Sequence, residues 1–140
     1  MSFDTPHNPQ NRAISNVAAL KVPPHSVDAE QAVLGGLMLD NAEWDNLADV
    51  LIPEDFYRPE HQIIFRVMSQ QSEDRSPIDV VTLMGSLNSL NELESAGGIE
   101  YLSELTDNAR GTANIHAYAE IIRERAILRR LISVANGIAN

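Results

Sequence analysis

TANIHAYAEIIRERAILRRLISVANGIA, residues Thr112–Ala139, is the stretch that decides the fold. It contains no proline and Thr112 is suited to cap its start, so it reads as one helix. At roughly 1.5 Å per residue that helix is about 40 Å long, more than a domain this small can cover along its whole length. Its apolar positions also change face. Ile115, Tyr118, Ala119, Ile122 and Ala126 cluster in the first half, and Leu128, Leu131, Ile132, Ala135 and Ile138 in the second. At about 100° per residue the two stripes point well over 90° apart. The first is expected to close a core built by the upstream chain, and the second calls for a helix from elsewhere. A terminal helix folded back along its own domain is the competing reading.

Upstream, the pattern is helical throughout. Residues 1–21 hold small polar groups and prolines without a sustained period and read as a flexible arm. Val22-Pro23-Pro24-His25 forces an extended entry. Ser26 then caps a helix whose buried face is Ala29, Val33, Leu34, Leu37 and Met38, with Asp28 and Glu30 near its positive end. Gly35-Gly36 inside that run costs about 1 kcal/mol per glycine relative to alanine, a cost that close approach of another helix would offset. Asp40 or Asn41 ends it and starts a segment with Trp44, Leu47, Ala48 and Leu51 on one side, Trp44 as a core anchor. Pro53 to Pro59 makes a corner plugged by Phe56 and Tyr57. A third helix runs through His61, Ile64, Phe65, Val67 and Met68 and stops near Ser76-Pro77. Asp79 caps a fourth, with Val80, Leu83, Met84 and Leu87 along one side. Ala96-Gly97-Gly98 is a hinge from which helix resumes through Tyr101, Leu102 and Leu105. Six or seven helices with short polar joints, and no convincing strand, predict an all-α fold.

Chemistry is harder to find. Twenty acidic residues face ten basic ones, so the chain would work against its own field in wrapping nucleic acid. Between Asp28 and Asp107 the basic side chains are Arg58, Arg66 and Arg75, whereas Arg123, Arg125, Arg129 and Arg130 gather on the long helix. An acidic body with a basic stalk predicts contacts with protein surface of opposite charge. Direct DNA binding has that arginine group in its favour, but no aromatic stacking platform accompanies it. The four histidines, His7, His25, His61 and His116, form no pair at ligand spacing, and no cysteine joins them. His61 and His116 read as half-exposed helix residues. Neither glycine pair is followed by the lysine and hydroxyl of a Walker sequence. No hydrophobic run reaches membrane-spanning length. An interaction domain is expected, not an enzyme.

One family carries these residues in the same order. Lys21-Val22-Pro23-Pro24-His25-Ser26, followed by Asp28 through Asn41, resembles the opening of bacterial replicative DNA helicases of the DnaB family. Asp55-Phe56-Tyr57, His61 through Phe65, Pro77-Ile78-Asp79, Gly97-Gly98 with Tyr101-Leu102 and Leu105, and Asn114 through Ala126 resemble it too, so the likeness covers about residues 21–136. It implies an N-terminal collar domain of a hexameric, ATP-driven helicase working in the bacterial cytoplasm at the replication fork. The expected organisation is an arm over 1–21, a globular head of about six helices over 22–110, and over 111–140 the first helix of a hairpin whose second helix would follow. Hairpins pair between subunits and the collar recruits the carboxy-terminal domain of primase. Loader contact, ATP and Mg2+ belong mainly to a motor domain outside these residues, and DNA is engaged by the full ring; no cofactor or catalytic residue is expected here. Within the resemblance, Ile115, Tyr118, Ile122, Arg123, Leu128, Leu131, Ile132, Ala135 and Ile138 are assigned to hairpin or oligomer packing. Glu73, Asp74 and Arg75 are assigned to a primase-facing surface. The alternative to this reading is a helical interaction module unrelated to replication, or a DNA-binding one.

Overall fold

The structure, a computed structural model, describes residues 22–111 and 114–137. The expected arm, the cap at Thr112 and the interface position Ile138 lie outside those residues. Six α-helices are present among them: α1 Val27–Leu39, α2 Trp44–Leu47, α3 Pro59–Glu73, α4 Val80–Ser89, α5 Gly98–Ala109 and α6 Ile115–Ala135. Short 3-10 turns at Asn41–Glu43 and Pro53–Asp55 precede α2 and α3. No strand occurs among the described residues.

The helix α1 is the centre of the packing. Ser26 caps it by accepting the Ala29 N–H at 3.2 Å, and Ala29, Val33, Leu34, Leu37 and Met38 are all buried. Its two glycines answer two different neighbours. A Cβ on Gly35 would lie 2.1 Å from the Leu105 carbonyl oxygen of α5, and one on Gly36 would lie 2.7 Å from Cδ1 of Ile115 on α6. The missing side chains let α5 and α6 lie across α1 on adjacent lines, which is the offset expected for the helix-propensity cost.

The remaining elements wrap this centre. Asp40 ends α1, and its side chain accepts the Ala42 N–H to start the following turn. Trp44 is 8 % exposed and its ring lies 5.1 Å from Phe65, which in turn meets Phe56 at 4.9 Å. Ala48, expected on the same inner stripe, is exposed because α2 closes after one turn at Leu47. Asp79 and Thr82 form a reciprocal capping box at α4, with Thr82 N–H donating to Asp79 at 2.8 Å and Asp79 N–H donating to Thr82 Oγ1 at 3.0 Å. Gly97, at φ +106, starts α5 in a left-handed conformation directly beneath the Tyr101 ring.

The long helix is shorter than its sequence pattern suggested. Asn114 provides the cap, accepting the Ala117 N–H at 3.1 Å, and the helix ends at Ala135 with Gly137 at φ +74 behind it. It has 21 residues, or roughly 31 Å at 1.5 Å per residue.

Candidate assembly surface

The two halves of α6 meet different surroundings. In the first half Ala119, Ile122 and Ala126 are buried against the head, and Ile115 and Tyr118 are half-buried beside them. No apolar side chain of α6 beyond Ala126 is fully buried. Leu128 and Ile132 are half-buried, Ala135 is exposed, and Ile127, Leu131 and Val134 are 41 %, 44 % and 71 % exposed. Positions 127, 131 and 134 repeat at i, i+4 and i+7, so they form one continuous edge turned away from the core. Ile127 and Val134 were not among the assigned interface positions. Their spacing is helical, but only burial separates an outward row from a half-sheltered one.

The arginines behave otherwise than a stalk meant for a partner. Arg123 donates to the Val50 carbonyl at 2.9 Å. Arg129 donates to the Pro24 carbonyl at 2.9 Å and to the Asp55 carbonyl at 2.7 Å, with its guanidinium 5.6 Å above the Tyr57 ring. Arg130 donates to Asp55 Oδ1 at 2.6 Å. Burial lowers the Arg129 pKa from its ordinary value, while the charges of Glu30 and Asp55 pull in the opposite direction. Three of the four arginines therefore hold the helix to its own head. A guanidinium carries five donors in a flat fork and can bridge carbonyls from two separate loops, which charge counting along a sequence does not reveal.

A second polar cluster lies inside the head. Glu30, 1 % exposed, accepts the Tyr57 N–H at 2.7 Å and the Arg58 N–H at 3.4 Å, so it caps the start of α3 rather than serving α1. It also meets His61 Nδ1 at 2.7 Å, and His61 Nε2 meets the Tyr101 hydroxyl at 2.6 Å. An ionised carboxylate only accepts, so Nδ1 points its N–H at Glu30, while the Tyr101 oxygen beside Nε2 also accepts from Gln31 Nε2 at 3.1 Å. His61 is fully buried, not half-exposed as its sequence neighbours suggested, because three elements converge on it with matching donors and acceptors. His116 is exposed, 3.5 Å from Glu120. Tyr57 is half-buried and stacks on His25 at 4.1 Å, while Phe56 is the true plug.

Glu73, Asp74 and Arg75 are exposed at the end of α3, where Arg75 takes φ 60 and turns the chain. Beside them, an open groove of about 610 Å³ runs between α3 and α4 over Gln71, Asp74, Pro77 and Gly85. Among the described residues no group of three or more His, Asp or Glu side chains could hold a metal ion, and no helix is long and apolar enough to cross a membrane.

These features define an all-helical domain whose last helix is half core and half open apolar edge. A family model described as the DnaB-like helicase N terminal domain matches residues 22–124. The chain is 50% identical over 122 residues to the replicative DNA helicase DnaB of Haemophilus influenzae, covering 87% of this chain and 26% of that protein. To the DnaB of Geobacillus stearothermophilus it is 44% identical over 126 residues, covering 90% and 28%. Among solved structures, the N-terminal domain of DnaB helicase from Mycobacterium tuberculosis superposes with a TM-score of 0.79 at 35% identity, covering 83% of each chain. That of the Helicobacter pylori DnaB N-terminal domain, described together with its interactions with primase, gives 0.65 at 26%, covering 91% and 92%. The chain belongs to the DnaB family of bacterial replicative helicases and carries its N-terminal domain. It spans about a quarter of the length of those curated helicases.

Proposed function

We propose that this domain builds the collar of a hexameric replicative helicase and recruits primase to it at the replication fork in the bacterial cytoplasm. The observation that carries the reading is the open edge of Ile127, Leu131 and Val134, which begins where burial of α6 against the head ends. Exposed apolar rows of this kind gain about 25 cal/mol per Å² when covered, and a helix of a second copy is the occupant that symmetry offers at least cost. Leu128, Ile132 and Ala135 flank the row and would join the same contact. Ile115, Tyr118 and Ile122 serve this assembly by seating the helix on its head. ATP-driven unwinding belongs to the longer relatives, and DNA is engaged through the ring they form.

Primase recruitment is supported by the family and by the Helicobacter pylori domain described with primase. We place its contact on the exposed turn Glu73-Asp74-Arg75. Sedimentation velocity tests the assembly: the wild-type chain should self-associate, and Leu131→Asp should weaken this by at least about tenfold. A strictly monomeric wild type at high concentration would remove the reading. Titration with the primase C-terminal domain tests the second part, since replacing residues 73–75 by alanine should reduce binding with the fold intact.

A further inference from the structure

We infer that Arg129, Arg130 and Asp55 are positioning residues for the self-association surface: they form a clasp that sets the direction in which the outer half of α6 presents its apolar edge. The inference rests on the assembly reading above. Up to Ala126 the helix is located by packing, with Ala119, Ile122 and Ala126 seated against the head. Past Ala126 no side chain of the helix is fully buried, yet this is the half that carries Leu131 and Val134. Leu128 and Ile132 are only half-buried there, and the directional ties are polar. Arg129 bridges the Pro24 and Asp55 carbonyls and covers the Tyr57 ring, and Arg130 reaches Asp55 Oδ1.

Asp55 is suited to be the fixed end. It is 3 % exposed, and its second carboxylate oxygen accepts the Ile52 N–H at 3.0 Å, which locks it into the turn before α3. The loop that carries the Pro24 carbonyl is anchored next door, where His25 stacks on Tyr57 at 4.1 Å. Two loops far apart in sequence thus meet on one turn of α6. Arg129 lies on the far side of the helix from the Ile127, Leu131 and Val134 row, about 160° around it, whereas Arg130 borders the row at i+3 from Ile127 and i−4 from Val134. The Arg130 guanidinium is drawn off to Asp55, so the clasp can orient the row while leaving its apolar side chains uncovered.

The chain has no cysteine, so single spin labels can be introduced at exposed positions. A pair at Glu94→Cys and Asn136→Cys, diluted with unlabelled protein, reports the distance between head and helix end within one protomer. The wild-type distribution should be narrow. Arg129→Ala with Arg130→Ala should broaden it and weaken self-association by about tenfold, while the melting temperature of the head moves by only a few degrees. Leu131→Asp should do the reverse, abolishing association and leaving the distance narrow. Arg129→Lys with Arg130→Lys keeps both charges but replaces each flat, preorganised fork with a compact ammonium on a flexible stem, and should fall between wild type and the alanine pair. An alanine pair with an unchanged distance distribution overturns the clasp, and a broadened distribution with undiminished association overturns its positioning role. Should the wild type not associate, the assembly reading fails, and the distance measurement alone still decides whether the clasp holds the helix.

Discussion

The first and second halves of α6 are chemically alike in sequence, both mixing aliphatic and charged residues, yet they are held in opposite ways. Ala119, Ile122 and Ala126 lie within a packed core, where removing volume leaves a cavity. Leu131 and Val134 stand in solvent, and their half of the helix is tied to the head by guanidinium groups reaching across to carbonyls. One half serves the stability of the fold, and the other, on the assembly reading proposed above, serves what the fold joins. The difference teaches that a single regular helix can carry two independent tasks when its apolar stripe rotates.

The largest effect should come from the core side, at the carboxylate that connects α1 to α3. Glu30→Ala strands two backbone N–H groups and the buried His61 ring, and should lower unfolding free energy by about 3 to 5 kcal/mol in urea titration. A loss under about 1 kcal/mol would show that Glu30 is not the cap of α3. Ile122→Ala comes next, at about 2 to 4 kcal/mol, because the site is closed on every side. Gly35→Ala should cost about 1 to 3 kcal/mol, since its Cβ meets the Leu105 carbonyl, and Gly36→Ala should cost less because only the tip of Ile115 has to move. At the other end of the scale, Leu131→Asp should change stability by no more than about 0.5 kcal/mol while removing self-association. If Leu131→Asp destabilised the monomer as much as Ile122→Ala does, the division between the halves would be wrong.

Much of this was legible beforehand for a physical reason. The caps at Ser26 and Asp79 depend on a side chain three residues from the N–H it serves, so local order is enough to find them. The same holds for the paired glycines, whose cost inside a helix demands a close neighbour without saying which. His61 was misread because its environment is made by Glu30 and Tyr101, 31 residues before it and 40 after. Asn114 was passed over as a cap in favour of a threonine two residues upstream, a choice between equivalent polar groups that only the backbone turn resolves. For the arginines the sequence leaves protein contact and solvation both open, since charge along a helix says nothing about which carbonyls stand within reach.

By itself, then, the amino-acid sequence determined an all-helical chain, the change of face along its last helix and the family to which it belongs, because these follow from spacing and from the order of residues. Tertiary structure alone decided that Glu30 accepts the N–H groups before α3, that His61 is buried, that three arginines bond back to the head, and that Ile127, Leu131 and Val134 form the open edge. Those outcomes depend on distances between segments far apart in the chain, and such distances exist only once α1 has gathered α5 and α6 around its glycines.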